Sequence, residues 1–284
     1  MRLMNCVKDV FFKNSFRIAN KVLTNDISIL SSYALMIVKP ETIVFQKLGI
    51  LLKLIKMNDF IIIYCKKENI NGAQIISLWE WSWDNATIER ILLNQKLFEL
   101  SYSLVLILKY VGNKNCIASE YLTFLKGSSN IEIREKGSFR DILKSSNFLI
   151  NFIHTSDDVE NFIREIGVLF SSDEIIDIYT LILNDYEKQN TAQPKSICSL
   201  LKTIKNDSLK ANNKFIFNGE KDFYNFLENI KNKINIEDHY INHLLSKAQN
   251  NKVISNDLLW FLIKNKLIEW NIKSLSVLTL YAIY

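Results

Sequence analysis

At 284 residues the chain has room for one large domain or two of ordinary size, and its 48% hydrophobic and 23% charged residues, with seven glycines and two prolines, exclude a fibrous or largely disordered protein. The net charge of +5 is spread along the sequence, which excludes the clustered basic footprint of a nucleic-acid binder. No apolar run is long enough to span a bilayer, the first residues carry no secretory h-region, and Cys6, Cys65, Cys116 and Cys198 lie too far apart for a metal-ligand spacing, so reduced thiols in a cytoplasmic protein are expected.

Residues 1–28 contain VFFKNSFRIANKVL, whose apolar positions fit a short amphipathic helix, read as an N-terminal helical arm. YALMIV at 33–38 has the length and composition of a strand and ends at Lys39-Pro40-Glu41, where the proline closes it. A helix over about 43–57 and a second strand in DFIIIYCK follow. Residues 72–101 read as helical, although Trp79, Trp81 and Trp83 fall on alternate positions of LWEWSWD, which would share one face of a strand but spread around a helix. Packing is the default role for at least two of them. SLVLILKY at 103–110 is a third strand, and 113–126 a helix that stops at Gly127. The weakly periodic run GSSNIEIREKGSFR, residues 127–140, indicates either a functional loop or disorder.

A short fourth strand over 149–153 ends just before His154. Asp157 with Glu160 has the spacing of a capping box, and Val159, Phe162, Ile163, Ile166 and Phe170 share one face of the helix that follows. A histidine beside the N–H groups of a helix start can meet an anion, although a lone histidine in such a place is more often structural. Periodic apolar segments at 175–183, 197–204, 223–234, 240–248 and 258–281 then suggest an all-helical extension. His239 and His243 stand at i and i+4 there without a third ligand at zinc-site spacing, and read as a helix-surface pair.

What changes the reading of His154 is its company. Asn151-x-x-His154-x-Ser156-Asp157, with Glu165 eleven residues after the histidine, resembles the active-site signature of the nucleoside diphosphate kinases. YALMIVKPETI resembles that family's first strand and Lys-Pro-Asp, with Glu41 in place of the aspartate. Gly127, Asn130, Gly137 and Arg140 keep the pattern of its long loop, with Ser129 where the family has threonine. The resemblance covers residues 29–172, about half the chain. It departs in three places: Thr123 stands where the family carries a phosphate-binding arginine, Arg-Gly-Asp-Phe has become Arg140-Asp141-Ile142-Leu143, and one residue is inserted between Arg140 and His154.

The resemblance implies an α+β fold, a ferredoxin-like βαββαβ antiparallel sheet over residues 29–172, after an arm at 1–28 and before an all-helical C-terminal domain at 173–284. It implies a nucleotide-dependent phosphotransferase that moves the terminal phosphate of ATP or another nucleoside triphosphate, through phosphorylated His154, to a nucleoside diphosphate or a specialised acceptor. By the same resemblance Glu165 orients the imidazole and Ser156 holds that carboxylate. Lys39 and Arg140 neutralise phosphate charge, Ser129 donates a hydrogen bond to it, and Asn151 contacts ribose and phosphate. One of the three tryptophans would stack on the base, and magnesium would be held by the nucleotide phosphates and water. A homo-oligomer, and a protein partner at the helical extension, are open to such a chain. The alternative is a catalytically inactive nucleotide-binding or assembly module that acts through the extension.

Overall fold

The computed structural model describes residues 8–81, 101–145 and 150–211, together with positions 91, 94, 95, 97, 98, 243 and 245–247. Cys6, Trp83, His239 and the apolar segments expected beyond residue 211 therefore lie outside the described residues, His243 and 245–247 excepted.

Four antiparallel strands, β1 (Tyr33–Val38), β2 (Phe60–Glu68), β3 (Ser103–Tyr110) and β4 (Ile153–Thr155), form one sheet in the order β2-β3-β1-β4. β1 and β3 are continuous apolar runs because both of their faces are covered. Ala34, Met36 and Val38 of β1 point into one core and Tyr33, Leu35 and Ile37 into the other, each buried aliphatic contributing about 1.5–3 kcal/mol.

Helices cover both faces. Against the first core lie α3 (Leu48–Met57), α5 (Ala118–Lys126), the short α6 (Phe139–Ile142) and α9 (Lys195–Ala211). Against the second lie α1 (Val10–Val22), α4 (Gly72–Leu78), α7 (Val159–Leu169) and α8 (Ser172–Glu187). The remaining short helix, α2 (Pro40–Val44), begins at the proline that closes β1. The βαββαβ order expected from the sequence is the one observed. Among the described residues no helix is long and apolar enough to cross a membrane.

Several local expectations need correction. The helix expected over 43–57 is two helices, α2 and α3, because Gln46 between them adopts a left-handed φ of 57°. The helix expected from 113 begins only at Ala118, and the backbone before it turns back to the Tyr110 hydroxyl, which accepts from the Lys114 N–H at 3.2 Å. β4 occupies Ile153–Thr155, so His154 lies inside the strand instead of after it. The cap of α7 is Asp158, whose carboxylate accepts from the Asn161 N–H at 2.7 Å, while Asp157 is drawn off to Lys126. Residues 127–138 form a loop with a single 3₁₀ turn at Ile131–Ile133, and Phe139 and Arg140 open α6.

α8 and α9 lie on opposite faces of the sheet, and the segment joining them rounds the free edge of β2, where the Gln193 side-chain oxygen accepts from the Ile62 N–H at 3.3 Å. α1 crosses α7 at Gly167, where an added Cβ would strike the Phe11 carbonyl and stand 3.2 Å from Ser15 Cβ. Gly167→Ala is therefore expected to cost about 1–3 kcal/mol by overpacking, read as a lower denaturant midpoint with an unchanged slope.

Candidate active site

The site is organised around β4, the edge strand next to β1. Even-numbered residues turn their backbone groups toward β1: the Phe152 carbonyl accepts from the Lys39 N–H at 3.0 Å, and the Ser156 N–H donates to the Leu35 carbonyl at 3.3 Å. Odd-numbered carbonyls therefore face away from the sheet, where an edge strand would be left unpaired. Two buried cations take them. Arg140 donates from Nε to the Asn151 carbonyl at 3.3 Å, from Nη2 to the Ile153 carbonyl at 2.8 Å and from Nη1 to the Gly127 carbonyl at 3.0 Å. Lys126 Nζ donates to the Thr155 carbonyl at 3.4 Å and pairs with Asp157 at 3.3 Å. Arg140 thus uses three of its five N–H donors beneath the strand that carries the histidine.

On β4 the His154 side chain, 15% exposed, reaches the α7 layer, where its Nε2 lies 2.9 Å from Glu165 Oε1. The Ser156 hydroxyl donates to the other carboxylate oxygen at 2.5 Å. A carboxylate only accepts, so Nε2 carries the proton and the Nδ1 lone pair is the unprotonated one. Nδ1 makes no hydrogen bond among the described residues. The Trp79 ring stands edge-on to the imidazole, 5.2 Å between centroids. Next to Glu165, the buried Arg164 pairs with Asp9 at 2.6 Å, donates to the Ser77 carbonyl at 2.6 Å and lies over the Trp81 ring, which ties α7 to α1 and α4.

At the end of β1, Lys39 is 2% exposed, and its amine lies 3.1 Å from Glu41 and 3.3 Å from the Asn151 side-chain oxygen. Glu41 also accepts the Phe152 N–H at 3.2 Å, steadying a residue with a left-handed φ of 67° just before β4. Burial holds Lys39 below the ordinary lysine value. It does the same to Lys126, and to Arg140 relative to other arginines; Arg140 further depresses both lysines, while Glu41 and Asp157 oppose the shift. Three buried cations thus stand around β4 with two buried carboxylates, Glu41 and Glu165. An anion that enters here relieves unfavourable charge.

The family model for nucleoside diphosphate kinase matches residues 32–175, just over half of the chain. The chain belongs to the nucleoside diphosphate kinase family. The family and the fold support a nucleotide-binding phosphotransferase in general terms. The match ends within α8, so most of that helix and all of α9 lie beyond it.

Solved structures similar to this nucleoside diphosphate kinase family member include the Halobacterium salinarum nucleoside diphosphate kinase in complex with CDP, at 15% identity and a TM-score of 0.40 over 50% of this chain and 89% of that one. The Aquifex aeolicus nucleoside diphosphate kinase gives 20% identity and 0.41 over 49% and 95%, and the Pyrobaculum aerophilum enzyme 18% and 0.38 over 51% and 98%. No curated protein matches the chain.

Within the kinase-family domain, the structure joins His154, Glu165 and Ser156 by direct hydrogen bonds, and links Lys39 to Arg140 through the two ends of Asn151. Ser129 lies on the 127–138 loop, where its carbonyl accepts from Arg134 at 3.1 Å. Arg134 also donates to the Ser128 and Ser145 carbonyls, closing the loop on itself. Thr123 bonds the Thr155 hydroxyl at 2.7 Å and the Ser156 carbonyl at 3.2 Å. Sequence reasoning missed Lys126. Its signal is a lysine in the buried stripe Ala118, Leu122, Lys126, at helical spacing.

Among the described residues no group of three acidic, histidine or cysteine side chains is arranged for a metal. The buried cations Lys39, Lys126 and Arg140 favour an anion over a bare cation here.

Proposed function

We propose that the chain is a phosphotransferase in which His154 takes the terminal phosphate of a nucleoside triphosphate and passes it to a nucleoside diphosphate or a specialised phosphoryl acceptor. The observation that carries the reading is the hydrogen bond from His154 Nε2 to Glu165, which leaves Nδ1 as the nucleophilic nitrogen. The Nδ1 lone pair attacks the γ-phosphorus, the bond to the β-phosphate oxygen breaks, and the diphosphate leaves. Glu165 balances the positive charge that the ring then carries, and Ser156 fixes that carboxylate. In the second half an oxygen of the acceptor attacks the phosphorus and the N–P bond breaks, which restores the imidazole. Lys39, Arg140 and Asn151 meet the phosphates, with Ser129 donating from the loop.

One observation favours the second reading, an inactive nucleotide-binding or assembly module. The Lys39 amine already lies against Glu41 and Asn151, and Arg140 is bound to three carbonyls. Incubation of the chain with γ-labelled ATP and magnesium separates the two. The phosphotransferase acquires acid-labile, alkali-stable label and loses it when an acceptor is added. A chain that binds nucleotide but takes no label from any nucleoside triphosphate belongs to the second reading.

A further inference from the structure

Lysines are buried in this fold for two different ends. Lys109, 8% exposed, has three partners, two of them short: Asp185 at 2.9 Å, the Asn190 carbonyl at 2.9 Å and the Asp185 carbonyl at 3.4 Å. Its ammonium is satisfied by the protein. Lys126 is equally buried, at 8%, yet has only the Thr155 carbonyl at 3.4 Å and Asp157 at 3.3 Å, and Asp157 is 45% exposed on its side chain. Its third N–H has no partner among the described residues. An ammonium so placed is costly to bury and weakly compensated.

Its position explains what could complete the set. Lys126 is the last residue of α5 and meets β4 one residue after His154, on the outer edge where Arg140 takes the two preceding outward carbonyls. Both Arg140 and Glu165 lie within reach of its charge. One turn earlier on the same helix, Thr123 holds Thr155 and Ser156 with an uncharged hydroxyl. α5 therefore brings one cation to the end of β4, and it comes from position 126.

We propose that Lys126 is a phosphate-neutralising residue of this site, whose ammonium turns from Asp157 to the phosphates of the bound nucleotide. The inference rests on the phosphotransferase reading and adds a residue that the signature does not contain. Asp157, half open to solvent, keeps its hydration when the lysine leaves, so the exchange replaces a long pair with a closer contact to a more highly charged anion.

The test compares the full chain with Lys126→Met, Lys126→Arg and Asp157→Asn, measuring labelling from γ-labelled ATP and the affinities for ATP and AMP. Lys126→Met is expected to slow labelling by about 10- to 100-fold and to weaken ATP while leaving AMP, which lacks the distal phosphates, little changed. Lys126→Arg restores most of both, and Asp157→Asn loses far less than Lys126→Met. Labelling of Lys126→Met at the native rate overturns the proposal, as does an equal loss of ATP and AMP affinity. Should Lys126→Met not fold, Asp157→Asn decides: a loss as deep as complete removal of label marks a structural ion pair instead. If the native chain takes no label but binds ATP, the affinity comparison decides alone. If it binds no nucleotide, the phosphotransferase reading itself has failed and takes this inference with it.

Discussion

Replacing His154 by alanine is expected to abolish the acid-labile label, a fall of about 10⁴-fold or more, because it removes the proposed attacking nitrogen. The fold should survive, since the ring is partly exposed and its loss removes an edge-on contact with Trp79 and one hydrogen bond to Glu165, whose other carboxylate oxygen keeps the Ser156 hydroxyl. Glu165→Gln in the same assay separates orientation from charge. The amide oxygen still accepts the Nε2 proton, so the tautomer is retained, but the negative charge that offsets the phosphorylated ring is gone. Labelling that persists at about a tenth to a hundredth of the native rate is the expected outcome. A His154→Ala chain that still acquires acid-labile phosphate would sink the assignment of the nucleophile.

Arg140→Met should be the most damaging change to stability. Its guanidinium is buried, and the carbonyls of Gly127, Asn151 and Ile153 all accept from it. Methionine fills much of the volume and satisfies none of the three, leaving buried acceptors beneath the histidine strand. The cost is expected to be about 3–5 kcal/mol, measured by urea unfolding followed through tryptophan fluorescence. A loss below about 1 kcal/mol would mean that water replaces the guanidinium at β4 and that the arginine does not hold the strand.

β1 and β3 are legible in the sequence to the residue because each is an apolar run buried on both faces, and Pro40 closes the first. β4 is not. Three residues long, its extent is fixed by pairing with Met36, Ile37 and Val38, which no local pattern encodes. The two aspartates at 157 and 158 offer equivalent caps, three residues before Glu160 and Asn161; Asp158 takes the role, and Asp157 pairs with Lys126 arriving from α5. The break at Gln46 has no glycine to announce it. The union of His154, Ser156 and Glu165 is implied by the resemblance to the family signature, whose residues lie in one short stretch of chain. Lys126 shows in the sequence as a lysine in a buried helical stripe, but its contact with β4 depends on how a separate helix lies against that strand. Of the three tryptophans on alternate positions, Trp79 meets His154 and Trp81 meets Arg164, so both serve the layer behind the site.

The Gln193 side chain on Ile62 bears on how copies of this chain could assemble. A strand edge with open N–H groups is a place where a second molecule adds its own strand and the two sheets become one. Here the chain has laid its own connection across that border on its way from one face to the other. A neighbour seeking to continue the sheet past Ile62 must first displace the Gln193 side chain from that N–H.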